Sequence, residues 1–240
     1  MNRKNIMMRT ILVGIVFVVL LTGCKKLALQ HDHNRDPVTI DPHVNMTAWQ
    51  YLKSRALGTN SFNTIWKRMY EGIIYSEIDT LEYSKPNRTY IFLNNDAVVR
   101  TNSNAADVGF FGANRVNNGN ATKWSNYPKD FVKVNLQYLI IEGVHDHYTL
   151  PPINPVVVST LAPVGSLTEL PTGISRNTAY PFVPNPESKM QIKVLNSSPS
   201  NTSDYPIVLN ESRNVRTSSI LATNGSIHAV DRYVTTTKPD

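Results

Sequence analysis

A single cysteine, Cys24, stands in this chain of 240 residues. No disulfide can form within such a chain. Folds that small secreted proteins staple together are therefore excluded, and stability has to come from a packed apolar core. The position of the cysteine narrows the field further. Arg3, Lys4 and Arg9 form a positive head. Ile11 to Leu21 is an apolar run interrupted only by Gly14, and Leu21-Thr22-Gly23-Cys24 follows. A basic head, an apolar core short for a bilayer, and small residues before a cut make the pattern of a signal peptide over residues 1–23. An ordinary signal peptide, or a lone membrane helix with a chance cysteine, is the competing reading.

The Leu-x-Gly-Cys ending resembles the lipobox of bacterial lipoproteins. That resemblance implies a thiol alkylated by a diacylglyceryl group, a cut before Cys24 and acylation of the new amine. Cys24 is then the lipid attachment and does no redox chemistry. The implied location is the cell envelope, lipid-anchored at the outer membrane, with the periplasmic or surface face left open. Some lipoproteins carry acidic residues after the cysteine as a surface-export cue; here Lys25-Lys26-Leu27 follows.

Removing residues 1–23 takes away three cations and no acid, so the formal charge of +6 falls by three to +3. No basic run exceeds Lys25-Lys26, and nucleic acid, which needs clustered cations on one face, is not an expected partner. Seven Asn-x-Ser/Thr sequons, beginning at Asn45, Asn87, Asn120, Asn196, Asn201, Asn210 and Asn224, read beside a lipobox as an Asn- and Ser-rich surface.

Residues 24–45 are polar and read as a tether, leaving a single domain over 46–236. Thr47-Ala48-Trp49-Gln50 is a capping box opening a helix that buries Trp49, Leu52 and Ala56 and ends near Gly58. Phe62, Ile65, Trp66, Met69 and Ile73 mark one face of a second helix. Thr89 to Leu93 reads as a buried strand, closed by Asn94-Asn95-Asp96, which cap a short helix. Residues 101–128, with seven asparagines and no periodicity, read as an irregular excursion. Val132, Leu136, Leu139 and Ile140 mark a third helix from near Asp130 to Gly143. Eight prolines between 151 and 186 exclude a regular helix and make a second excursion, with Val156 to Val158 a possible strand. Met190, Ile192 and Val194 alternate with polar residues as in a half-buried strand. Ile207 to Leu209 and Ile227 to Val234 complete the set. Helices early and strands late favour an α+β fold.

Three of these segments resemble the fasciclin domain, in order. Thr89 to Ala97 resembles its first motif, and Val134 to Gly143 its central helix. Val215 to Asp231, with Thr223-Asn224-Gly225 before Ile227-His228-Ala229-Val230-Asp231, resembles its second. The resemblance covers most of residues 46–236 and implies a β-wedge or sandwich flanked by several helices. The central helix of that family usually carries Tyr-His. Here the pair is Tyr138-Leu139, so the receptor-adhesion role tied to that pair in animal relatives does not carry over. Members act mostly in adhesion or in contacts with matrix and carbohydrate, and fasciclin lipoproteins of Gram-negative bacteria often occur beside outer-membrane glycan-uptake systems. Apart from the family, Asn224-Gly225 is a tight-turn signal because both residues tolerate positive φ. His228 is expected to be a structural hydrogen-bonding residue rather than a ligand or base.

No phosphate loop, dinucleotide motif, zinc-protease motif or nucleophile elbow occurs. His31-Asp32-His33 and His145-Asp146-His147 each place two imidazoles two residues apart, but two ligands are too few for a structural zinc site, and exposed loop histidines are expected. The expectation is a non-enzymatic adhesion or interaction lipoprotein with no cofactor and no metal, binding a glycan or a partner protein of an outer-membrane uptake complex. The alternative is a lipoprotein hydrolase acting on polysaccharide or peptidoglycan, which two carboxylates sharing a pocket would favour. Phe110, Phe111, Trp124 and Tyr127 are the candidate ligand-binding residues, as exposed rings on a loop. The competing expectation is that they pin the first excursion to the core, which would move the binding face to residues 151–186.

Overall fold

The computed structural model describes residues 41–101, 108–151, 154–194 and 206–236. Cys24, the signal pattern, His31 and His33 lie outside them. The chain divides into residues 1–41 and 42–240, and every element below belongs to the second unit. That unit begins slightly before the expected boundary at 46: Leu221 N donates to Pro42 O (2.9 Å) and Val44 N to Leu221 O (3.0 Å).

Helix α1 (Ala48–Ser54) opens on the expected capping box, with Thr47 N donating to Gln50 Oε1 at 2.9 Å and Gln50 N to Thr47 Oγ1 at 3.3 Å. It stops at Ser54 rather than near Gly58, and Ala56 is buried from outside it. The second expected helix is broken. A 3₁₀ turn (Ser61–Thr64) precedes α2 (Lys67–Ser76), and Trp66 between them is non-helical. The cause is Asn95. Its side-chain amide donates to Thr64 O (2.8 Å) and accepts from Arg68 N (3.0 Å). Those are the two backbone groups an unbroken helix would pair with each other, so the inserted amide kinks the chain. Ile65 consequently turns outward, whereas Trp66, Met69 and Ile73 stay in the core.

Strand β1 (Arg88–Leu93) is followed by α3 (Asn95–Val99), whose N-cap Asn94 accepts from Ala97 N as expected. The first excursion is more ordered than its composition suggests. It contains α4 (Phe110–Ala113) and a hairpin of β2 (Asn114–Val116) and β3 (Gly119–Asn120). Asn117 and Asn118 turn that hairpin with φ of 48° and 65°, left-handed geometry that asparagine tolerates. Helix α5 (Lys129–Gln137) ends well before Gly143. Leu139 and Ile140 belong to the following segment, because β4 (Ile140–Glu142) pairs antiparallel with β1, and Ile91 N donates to Leu139 O. Gly143, at φ 86°, ends that strand and not a helix.

In the second excursion lie β5 (Val156–Ser159) and β6 (Ile174–Arg176), followed by β7 (Lys189–Val194), β8 (Ile207–Leu209), β9 (Arg213–Asn214), β10 (Thr217–Ala222) and β11 (Gly225–Val230). Three sheets result, ordered β10-β11-β1-β4, β5-β7-β8-β9 and β3-β2-β6. The last joins the two excursions. Among the strands of the described residues, β1 and β11 are the only pair that runs parallel. Helices with mostly antiparallel sheets make the fold α+β.

The expected tight turn is present and joins β10 to β11, but its two central residues are Thr223 and Asn224. Neither Thr223 nor Asn224 has positive φ. Asn224 serves through its buried side chain instead. Its Oδ1 accepts from Ala48 N (2.8 Å), and its Nδ2 donates to Tyr83 O, Lys85 O and Tyr90 Oη. Gly225 is required because a Cβ there would sit 1.9 Å from Arg88 O, on the paired strand β1.

Candidate functional site

The four aromatic candidates form part of the core. Phe110, Phe111, Trp124 and Tyr127 are at most 5% exposed. Ring centroids from Phe110 to Trp124, and from Phe111 to Trp124, are both 5.0 Å apart. Trp124 Nε1 donates to Arg68 O, and its ring lies so close to α2 that a Cβ on Gly72 would be 2.7 Å from it. Tyr127 Oη donates to Asn114 O, and burial pushes its phenol well above the usual tyrosine range. The exposure that made these rings binding candidates is absent. Apolar area this large is better hidden from water than presented to it, and the rings pin the first excursion onto α2 and α5.

The paired histidines are also engaged internally. His145 Nε2 lies 3.0 Å from Glu142 O and His147 Nδ1 lies 2.8 Å from Ser219 Oγ. Asp146 is buried and accepts from Tyr148 N and Thr149 N. Among the described residues no three His, Cys, Asp or Glu side chains group as metal ligands do.

His228 is fully buried on β11. Its Nδ1 accepts from Ser219 N at 3.0 Å, so the proton of the neutral ring sits on Nε2 and is donated to His145 O at 2.7 Å. Ser219 is the bulge residue of β10, with φ 55°. One imidazole thus ties the bulge to the 143–149 loop. Burial pushes it down to about 4. Tyr138 is equally internal, donating to Lys189 O while accepting from Asn210 Nδ2.

A cleft of about 160 Å³ opens between α5 and the proline-rich excursion. Phe131 and Val134 of α5 form one apolar wall, and Leu170, Pro171 and Phe182 form the other. Five polar side chains join them: Ser166, whose Oγ donates to Pro163 O, and four others. Asp130 and Glu169 are exposed. Asn135 is buried; its Nδ2 donates to Phe131 O, and its Oδ1 has no protein partner. Arg176 closes β6. Its guanidinium lies 5.7 Å from the Phe182 ring and 5.3 Å from that of Tyr233, with bonds to Tyr233 Oη and Thr236 Oγ1. Stacking and bonding hold the head rigidly, while its buried Nε finds no acceptor. Of these residues, Asp130 carried a signal of its own in the sequence, as a helix-start residue, and Glu169, Leu170, Pro171, Arg176 and Phe182 fall in the excursion that was the alternative binding face. The two walls come from segments tens of residues apart, brought together by the pairing of β2 with β6.

No protein-family model matches this chain, and no curated protein matches it. Among the described residues no helix is long and apolar enough to cross a membrane.

Proposed function

We propose that this chain is a fasciclin-type envelope lipoprotein, held at the outer membrane through Cys24, whose folded unit binds a glycan without transforming it. The family reading is supported by the juxtaposition of the two motif segments. They come from opposite ends of the domain and lie side by side as β1 and β11, with Thr89 opposite Ser226 and Tyr90 opposite Ile227. Asn224 of the second motif is bonded to Tyr90 Oη of the first.

The observation that carries the binding reading is the cleft of α5 and the second excursion. Its volume suits one six-membered ring. Sugars present apolar C–H faces and rows of hydroxyls. The cleft offers Phe131 and Phe182 for the faces, and for the hydroxyls the held polar heads of Asn135 and Arg176 beside the exposed carboxylates of Asp130 and Glu169. A few placed polar groups in an apolar pocket are the usual composition of a selective site.

Because Asp130 and Glu169 share this cleft, a hydrolase acting on polysaccharide is the second reading. Both carboxylates are exposed, whereas the acid of a glycosidase works from an apolar setting. Full-length protein screened on a glycan array, with Phe182→Ala and Glu169→Gln beside it, tests both readings. Retention of a glycan that either substitution weakens at unchanged melting temperature supports the site. Release of reducing ends from the bound glycan would make the protein a hydrolase. Failure to retain any glycan would remove the proposal.

A further inference from the structure

A second cavity, of about 200 Å³, lies between α1, the chain before α2, and the β10–β11 hairpin. Tyr51, Ile65, Trp66 and Ile220 make it apolar. Two arginines also line it: Arg55, which caps α1, and Arg216, just before β10. No Asp or Glu lines it. Asp231, outside the lining, lies 4.0 Å from Arg216 and bonds Arg232 more closely, at 2.9 Å. The Arg216 side chain is 74% exposed. Arg55 stacks over Tyr51 at 5.8 Å and donates to Asn63 Oδ1, which orders its head without cancelling its charge. Trp66 is buried, and its Nε1 has no acceptor in the protein.

A largely apolar pocket lined by two cations and by no acid favours an anion with an apolar body. We infer that it binds a small organic carboxylate whose apolar body is about one ring in size, with the carboxylate held by Arg55 and Arg216. Guanidinium groups pair with carboxylates through directed, charge-assisted bonds, and a neutral amide of the same shape lacks that partner charge. The cavity volume is close to that of apolar cavities that accept benzene. This site shares no residue with the glycan cleft, and the inference does not depend on that reading.

The probe is 3-phenylpropionate, with 3-phenylpropanamide as its neutral counterpart and glucuronate as a carboxylate on a polar body. Saturation-transfer NMR on the full-length protein reads all three. The carboxylate should give a saturable signal with a Kd on the order of 1 mM, as suits so few atoms. The amide and glucuronate should each bind at least about tenfold more weakly. Arg216→Gln should weaken phenylpropionate by roughly tenfold and Arg216→Glu should abolish binding, both at unchanged melting temperature since the side chain is exposed. Equal binding of acid and amide, tighter binding of glucuronate, no saturable binding, or indifference to both Arg216 variants would each overturn the inference.

Discussion

Replacing His228 by glutamine tests whether one buried imidazole couples the fold to pH. In the folded chain the neutral ring accepts from Ser219 N and donates to His145 O. A glutamine amide reaches about as far as Nε2 and can still donate to His145 O, but Ser219 N loses its acceptor. A buried unsatisfied amide costs about 1–3 kcal/mol, so the variant should be less stable by about that amount at pH 7. The pH dependence follows from proton affinity. An unfolded histidine takes up its proton near pH 6.5, whereas burial holds the folded one at about 4. Between those values the unfolded chain binds more protons. The contribution of the neutral ring is therefore complete above pH 6.5 and is lost as the pH falls toward 4. At about 1.4 kcal/mol per tenfold change in proton affinity, wild type should lose roughly 3 kcal/mol through this residue, and the glutamine variant none. Other groups titrate in the same window in both proteins, so the readout is the difference between them. Urea unfolding at pH 7.0 and 4.0 should show the gap closing or changing sign. A gap of the same size at both pH values would refute the reasoning.

Three further outcomes are expected. Ile227→Asp places a carboxylate at a fully buried position of strand β11; it should cost several kcal/mol and leave little folded protein, which circular dichroism would register. Phe111→Ala should destabilise by about 3–5 kcal/mol through the cavity it leaves, while glycan binding per folded molecule stays at the wild-type level; lost binding with an unchanged melt would return the ring to the binding site. Cys24→Ser should yield an unprocessed or soluble species in place of a detergent-extracted one, and mass spectrometry of the wild-type protein showing no lipid would remove the anchor.

What the sequence determined by itself is local. The capping box at Thr47, the run from Thr89 to Leu93 and the Asn94 cap depend on residues within a few positions of one another, and their physics is complete in the segment. Alternation likewise placed the strand at Met190 to Val194, and a short apolar run the one at Ile207 to Leu209. The missing disulfides followed from a count. Tertiary structure decided whatever depended on distant partners. The amide of Asn95 splits a helix that its own periodicity would continue. Leu139 and Ile140 have helical spacing, yet the open edge of β1 captures them as strand. Phe110, Phe111, Trp124 and Tyr127 are equally aromatic on a loop or in a core, and only the neighbouring faces of α2 and α5 bury them. Asn224 and Gly225 looked like a turn for reasons of φ. The turn forms, yet what requires these two residues is a side chain that binds four groups and a strand contact too close for any Cβ. The cleft lay furthest from the sequence, because Asn135, Glu169, Arg176 and Phe182 share no spacing and meet only after the two excursions have paired.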